Sequence, residues 1–179
     1  KFSDDRILVI ARDVTERKQM QAELIEAELK FRTIAEKSMV GVYIVKNGRF
    51  AYVNPRFAEV FGYQPAELIN TFPIDQVFDE SYRAIANENV RRRVKGEIES
   101  VHYEAKGHRK DGTSNWVEYY GSRAIIGGEP TIIGSMIDVT ERKAAEEELR
   151  SSEQKYKLLF DSNPMPMWMI SKEDQSIIA

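Results

Sequence analysis

Cysteine is absent from this 179-residue chain, and histidine occurs only twice, at His102 and His108. Without cysteine the chain cannot form disulfides, zinc–thiolate sites, thiol nucleophiles or cysteinyl-flavin adducts. One histidine lies in a predicted strand and the other in a charged turn, positions more typical of surface residues than of metal ligands. The sequence therefore predicts no metal site and no thiol chemistry.

Long hydrophobic runs are also missing. The longest, at residues 7–11 and 165–170, are far shorter than the roughly 20 residues that a membrane-spanning helix needs. No secretory signal peptide opens the chain. These observations predict a cytoplasmic chain without membrane contact of its own, and they leave open a membrane anchor elsewhere in a longer parent protein.

An excess of positive charge is missing as well, since the net charge is −3 and the isoelectric point is about 5.6. Such a chain has no electrostatic reason to bind nucleic acid. The basic run Arg91-Arg92-Arg93 falls in a predicted helix and is interpreted as the solvated face of that helix rather than as a phosphate site.

Catalytic motifs are lacking too. The sequence contains no nucleophile elbow, phosphate-binding loop, paired metal-ligand motif or kinase signature. We therefore expect no enzymatic activity within this chain, and an output enzyme such as a histidine kinase would lie outside it.

The most distinctive feature that is present is an internal repeat. Residues 13–18 read Asp-Val-Thr-Glu-Arg-Lys, and the same six residues recur 125 positions later at 138–143. Solenoid repeats span roughly 20 to 50 residues, so this period indicates whole domains joined by helices. With 42% apolar and 31% charged residues, the chain is expected to belong to a tandem array of globular domains.

Each copy of the motif precedes a predicted helix with an apolar seam. Asp13 lies three residues before Glu16, the spacing of a helix N-cap and its N3 partner. The seam residues are Met20, Leu24, Ala27, Phe31 and Ile34 in the first helix and Ala145, Leu149, Ser152, Tyr156 and Leu159 in the second. Their alternating spacing of four and three is that of a coiled coil, but so few heptads are equally consistent with a helix lying on its own domain.

Between the two helices the sequence predicts a mixed domain. The predicted strands are 41–45, 50–53, 98–106, 114–125 and 131–137, with an Asn47-Gly48 hairpin turn between the first two. Asn54 and Pro55 predict the start of a short helix over 56–61, and a longer helix spans 82–95. Strands grouped on either side of helices indicate an α+β fold with an antiparallel sheet and helices on one face.

Several motifs in this order resemble those of PAS domains of the bacterial and archaeal sensory type. They are Asn54-Pro55, Phe61-Gly62-Tyr63, Lys110-Asp111-Gly112, Trp116-Val117 and the motif at 138–143. The resemblance implies a five-stranded antiparallel sheet with short helices on one face, flanked by N- and C-terminal linker helices.

The resemblance also implies how the chain divides. Residues 1–12, with a strand at 6–11, are expected to end a preceding PAS repeat, and 13–27 to form a linker helix. A complete PAS domain is expected at 28–138, a second linker helix at 139–155, and the start of a following repeat at 156–179.

In PAS domains the Asp-Val-Thr motif joins the last strand to a signalling helix. The residues expected to form this signal junction are Asp13, Thr15, Asp138, Thr140, Glu141 and Arg142. Because alternate strand residues share a face, Ile132, Gly134 and Met136 share a face that ends at Asp138. A ligand touching Met136 is therefore predicted to act one step from the junction.

The family's flavin photosensors and haem sensors are poor matches. The photosensors use a cysteine and a glutamine on the last strand, whereas this chain has no cysteine and carries Met136 at the glutamine position. The haem sensors hold iron through a histidine, usually on the longer helix, and 82–95 contains none. The cofactor stays unknown, either a small organic ligand or none.

Nine residues are the candidate lining of a small-molecule pocket: Phe57, Phe61, Phe72, Ile85, Asn89, Val117, Tyr119, Ile132 and Met136. The buried stripe of the longer helix is predicted to be Tyr82, Ile85, Ala86, Asn89 and Arg93. Large aromatics and methionine fill space well, so a core filled by its own side chains is the favoured interpretation, with Asn89 as the polar exception. On the opposite sheet face, Trp116, Glu118 and Tyr120 are expected to contact a flanking helix or a second subunit.

These inferences predict a sensory or signal-relay module of a multidomain signalling protein, such as a sensor histidine kinase or a cyclic-dinucleotide signalling protein. Changes in the pocket or packing would pass through the junction into the helical linker. The segment between Met136 and Leu149 contains no Gly or Pro, so it has little flexibility to absorb a movement. The expected partners are a second copy bound through the flanking helices, adjacent PAS repeats and an output domain. The alternative is a ligand-free structural dimerisation module.

Overall fold

The computed structural model describes residues 15–161 and contains five strands in one antiparallel sheet. The strands are β1 (Gly41–Lys46), β2 (Arg49–Val53), β3 (Ser100–His108), β4 (Ser114–Ile126) and β5 (Glu129–Asp138). Their order in the sheet is β2-β1-β5-β4-β3. The last strand in the chain is therefore the central one, and the predicted α+β fold is confirmed.

Turn chemistry sets the first hairpin. Asn47 and Gly48 have φ values of 52° and 73°, as the predicted two-residue turn requires. β3 lies two residues later than predicted, because it pairs with β4 from Ser100 through His108 up to the hairpin turn.

The helices between β2 and β3 cover one face of the sheet. They are α2 (Pro55–Phe61), α3 (Pro65–Leu68), a 3₁₀ turn (Ile74–Val77) and α4 (Glu80–Val94). Their inner side chains and those of the sheet form one apolar core. α2 begins as predicted, with the Asn54 side chain accepting a hydrogen bond from the Phe57 amide.

Two long helices, α1 (Thr15–Glu36) and α5 (Thr140–Asp161), flank the domain. α1 continues past residue 27 and packs on the domain near its C-terminal end, where Ala35 is buried and the Phe31 ring lies 5.7 Å from that of Tyr52. The side chains of residues 16–30 are exposed.

None of the helices in residues 15–161 has the length and apolar character that a bilayer crossing requires. The strand predicted at 6–11, the junction residue Asp13 and positions 162–179 of the following repeat lie outside the described residues.

Candidate functional site

A small cavity lies between α4 and the inner face of the sheet. Its volume is about 30 Å³, enough for one or two small groups. Its lining is Tyr43, Val45, Phe50, Phe57, Ile74, Val77, Phe78, Ala86, Val90, Arg93, Tyr103, Tyr119 and Ile132.

Three of the nine predicted pocket residues, Phe57, Tyr119 and Ile132, line this cavity. Phe61, Val117 and Met136 are fully buried in the core but are absent from its lining. Met136 fills the space above the backbone of Gly41 instead. A molecule in the cavity would therefore touch β5 at Ile132, not at Met136.

The other three predicted residues, Ile85, Phe72 and Asn89, lie elsewhere. Ile85 is 52% exposed, because α4 turns Ala86 and Arg93 toward the core and each residue of a helix is rotated by about 100° from its neighbour. Phe72 is half-buried in the loop before the 3₁₀ turn, with its ring 5.0 Å from that of Tyr63. Asn89 is half-buried on α4 beside Arg93, whose Nε donates to its carbonyl oxygen over 3.0 Å.

Sequence reasoning missed most of the cavity lining, including Tyr43, Phe50, Phe78 and Tyr103. The signal was partly available, because alternation along β1 places Tyr43 and Val45 on one face. The positions of Phe50 and Phe78 depend on how strands and loops far apart in the chain meet, which spacing alone does not fix.

The cavity tyrosines are neutral. Burial raises the pKa of Tyr103 to about 12, helped by Tyr43 and opposed by Arg93 and by a hydrogen bond with Asn89. Burial also raises the pKa of Tyr43, with Arg93 opposing the rise, and holds the pKa of Tyr119 well above its usual value. All three hydroxyls therefore keep their protons at neutral pH.

The predicted signal junction is a direct fusion of β5 to α5, with only Val139 between them. Val139 is buried, and its amide donates to the carbonyl of Trp116 on β4 over 2.8 Å. The Trp116 amide in turn donates to Oγ1 of Thr140 over 2.9 Å. Hydrogen bonds to Trp116 of β4 thus hold both Val139 and Thr140, the residues at which β5 continues into α5.

Asp138 is the hydrogen-bond centre of the junction. Its Oδ1 accepts from the amide and hydroxyl of Thr140 at 2.9 and 2.5 Å, and its Oδ2 accepts from Arg109 at 3.0 Å and from Asn115 at 3.4 Å. Burial alone would raise the pKa of Asp138, but the bonds from Thr140, Asn115 and Arg109 together lower it below its usual value. The carboxylate joins α5, β4 and the loop before β4 in one network.

The first turn of α5 also forms ion pairs with the outer face of the sheet. Arg142 lies 2.8 Å from Glu104 and 3.3 Å from Glu118, and Lys143 lies 2.5 Å from Glu104. The Lys143 ammonium is 5.7 Å from the centre of the Trp116 ring, so Trp116 contacts a flanking helix. The predicted junction residue Glu141 is exposed and lies outside these ion pairs.

The pH dependence of stability follows from the lowered pKa of Asp138. A carboxylate whose pKa is lower in the folded than in the unfolded chain stabilises the fold at any pH above its unfolded pKa of about 3.9. That contribution is lost as the pH falls through the folded pKa. We expect Asp138→Asn to lower the free energy of unfolding by about 1 kcal/mol at neutral pH, because the network is partly solvated. Urea unfolding between pH 7 and pH 3 should show this difference shrinking below about pH 4, whereas a constant difference would contradict the role given to the charge.

The cavity and the junction are connected through β4 and β5. Tyr119, which lines the cavity, pairs with Met136, and Val117 pairs with Asp138. Asn115 lies two residues before Val117, on the same face of β4, and its side chain donates to Asp138. At about 3.4 Å per residue, Tyr119 lies roughly 14 Å along the strand from Asn115.

Metal chemistry finds no support in the part of the chain that the structure describes, where no three His, Asp or Glu side chains form a cluster suited to a metal ion. His102 is exposed, stacks on Tyr120 at 4.3 Å and lies 2.6 Å from Glu118. His108 is half-buried at the end of β3.

Comparison with known proteins gives a consistent match. Residues 39–141 match the family model described as "PAS domain". Sporulation kinase E of Bacillus subtilis is 26% identical over 155 residues, which cover 86% of this chain and 20% of that protein. The methyl sulfide methyltransferase-associated sensor of Methanosarcina acetivorans is 31% identical over 125 residues, which cover 69% of this chain and 12% of that protein. The chain thus spans a fifth or less of either relative.

Solved structures show the same fold. The crystal structure of the PAS domain of an HTR-like protein from Haloarcula marismortui aligns with a TM-score of 0.57 and 25% identity, covering 68% of this chain and 98% of that one.

Proposed function

Because the chain belongs to the PAS domain family, whose model matches residues 39–141, we propose that it is a sensory or signal-relay module of a larger signalling protein. The relatives named as a kinase and as a sensor support this proposal. The output, such as a histidine kinase or a cyclic-dinucleotide enzyme, would lie in the same protein outside this chain.

The observation that carries the proposal is the fusion of β5 to α5. β5 is the central strand of the sheet, and one residue, Val139, separates it from a 22-residue helix. Hydrogen bonds to Trp116 and ion pairs to Glu104 hold the start of that helix against the sheet. A change in the pairing or packing of β4 and β5 therefore alters the direction in which α5 leaves the domain.

The relay has two bistable elements in this proposal. The first is the packing of the cavity side chains, among them Tyr119, and the second is the hydrogen-bond network around Asp138. An input that favours one packing state shifts the population of helix orientations. The size of the shift is set by the difference between the affinities of the input for the two states.

Homodimerisation through the flanking helices completes the proposal. The seam residues of α1 are exposed, with Leu24 at 69% and Ile34 at 74%, and those of α5 include Leu149 at 62%. Exposed leucine and isoleucine in a/d spacing bury their side chains when a second helix packs alongside.

We expect Leu24→Glu to weaken the dimer at least a hundredfold. The change removes two leucine side chains per dimer from the seam, each contributing about 1.5–3 kcal/mol, and places two like charges opposite each other. Sedimentation equilibrium and native mass spectrometry of the 179-residue chain would measure the shift toward monomer.

The matched control is Gln19→Glu, which adds the same charge to α1 outside the seam and should leave the dimer intact. A wild-type chain that stays monomeric at high concentration would rule out this part of the proposal.

The second candidate function is a ligand-free dimerisation scaffold, which the small volume of the cavity favours. The two functions differ in how output depends on the junction. In a relay, Asp138→Ala changes the output of the full-length protein while the dimer persists. In a scaffold, output follows dimerisation alone, so only seam variants such as Leu24→Glu change it.

A further inference from the structure

Arg93 differs from its two neighbours in the triple-arginine run. Arg91 forms exposed ion pairs with Glu88 and Glu97, and Arg92 lies 3.7 Å from Glu97. Arg93, in the last turn of α4, is only 2% exposed and lines the cavity. The interpretation of the run as a solvated face is therefore wrong for Arg93, whereas the predicted place of Arg93 in the buried stripe of this helix is confirmed.

The Arg93 guanidinium is short of partners. Its Nε donates to the Asn89 carbonyl over 3.0 Å, but within residues 15–161 its buried Nη1 has no hydrogen-bond partner, and the nearby Tyr43 hydroxyl donates to the Tyr120 carbonyl over 3.3 Å. Among the described residues no carboxylate lies within 4.0 Å of it. Burying a charge without a counter-ion is strongly unfavourable, so a bound anion would stabilise this guanidinium.

A second unsatisfied donor lines the same cavity. The hydroxyl of Tyr119 is buried and has no hydrogen-bond partner in the described part of the chain. Its raised pKa keeps it protonated, so that it acts as a donor. The lining contains no acidic side chain, which leaves Arg93 as the only ionised group among the described residues of the wall.

The sheet leaves room for the guanidinium at one place. Arg93 lies over Gly121 of β4, where a Cβ atom would overlap with Nη1. Glycine at this position therefore lets the charged group reach the cavity between α4 and the sheet.

We infer that this cavity binds a small organic carboxylate, whose oxygens accept hydrogen bonds from the Arg93 guanidinium and the Tyr119 hydroxyl. A carboxylate matches the planar donor arrangement of arginine, and the remaining walls are apolar and aromatic, as a short hydrocarbon tail requires. The cavity volume limits the ligand to the size of formate, acetate or propionate. The inference deepens the proposed sensory function by naming a ligand class, and its meaning for signalling rests on that function.

Thermal unfolding of the 179-residue chain tests the inference, with sodium formate, acetate and propionate as probes. Sodium chloride at matched ionic strength and the uncharged propionamide serve as comparisons. A carboxylate at about a hundred times its dissociation constant should raise Tm by roughly 10 °C, and propionamide and chloride should not.

Arg93→Met should abolish this response. It should also raise the Tm of the ligand-free chain by roughly 5 °C, because an apolar side chain of similar length replaces an unpaired buried charge. Arg92→Met, one residue earlier on α4 with an exposed side chain, should respond to carboxylates like the wild type.

Tyr119→Phe provides a second test if Arg93→Met does not fold. It should weaken carboxylate binding about tenfold while keeping the ring in place. Equal stabilisation by propionamide or by chloride, or an undiminished carboxylate response in both variants, would overturn the inference. Carboxylate binding without any effect on output would instead count against the relay function and leave the binding site standing.

Discussion

Asn54→Ala should strongly destabilise the domain, more than Asp138→Asn does. Its side chain is fully buried and makes four hydrogen bonds: Oδ1 accepts from the amides of Val42 and Phe57, and Nδ2 donates to the carbonyls of Ala35 and Val40. Alanine would remove one hydrogen bond from each of these backbone groups, and among them the Ala35 carbonyl keeps a second one, from the Ser38 amide over 3.4 Å. We expect a loss of about 3–5 kcal/mol in the free energy of unfolding, measured by urea denaturation, or roughly 10–20 °C in Tm.

Asn54→Asp separates two roles of this residue. Aspartate is as good an N-cap as asparagine, so a capping role alone predicts almost no change in stability. Aspartate, however, places a carboxylate against the Ala35 and Val40 carbonyls, so the observed bonds predict a loss close to that of Asn54→Ala. The control is Asn87→Ala on the exposed side of α4, which should change stability by no more than about 0.5 kcal/mol. A harmless Asn54→Asp would reduce the role of Asn54 to a local cap.

The order of strands and helices was predictable because it rests on local chemistry. Asn47-Gly48 fixes a turn by its φ values, and Asn54-Pro55 fixes a helix start. The alternation along β5 placed Ile132 and Met136 on one buried face, as the structure shows. These signals act over a few residues and need no knowledge of the tertiary fold.

The candidate site was less predictable because it depends on the rotation of α4 and on contacts between distant segments. Rotating a helix by one residue exchanges Ile85 for Ala86 at the core. Because α4 has few apolar residues, its sequence did not indicate clearly which of its faces points to the core. Arg93 was correctly placed on the buried stripe of this helix, but its charge and its neighbours Arg91 and Arg92 suggested a solvated surface.

The junction shows the same division between local and distant information. The motif at 138–143 identified Asp138 and Thr140, which bond each other locally. It gave no indication of Arg109, Asn115 or Trp116, which reach the junction from more than twenty residues away in the chain. These distant contacts make the motif a part of the sheet rather than a free linker.

Asp138→Ala is expected to uncouple input from output in the full-length protein. Alanine removes the acceptor of Thr140, Arg109 and Asn115 together, so the start of α5 loses its carboxylate link to Arg109 and Asn115, while the hydrogen bonds of Val139 and Thr140 to Trp116 remain. Allosteric couplings are typically worth about 1–3 kcal/mol, so the response of output activity to input should fall by roughly 5- to 150-fold. The domain should stay folded, because its apolar core lies elsewhere, and hydrogen exchange should show faster opening of the first turn of α5.

The chain contains a matched control for this prediction. Asp111 makes the same local bonds with Thr113, to the amide at 2.9 Å and to the hydroxyl at 2.6 Å, but in the hairpin turn before β4 rather than at a helix start. Asp111→Ala therefore removes an identical Asp-x-Thr interaction without touching the fusion of β5 to α5, and output should still respond to input. Equal loss of response in both variants would mean that general weakening of the domain is responsible. Loss in Asp138→Ala alone would assign signal transmission to the contact between the sheet and α5, since only there do the local bonds continue into Arg109 and Asn115.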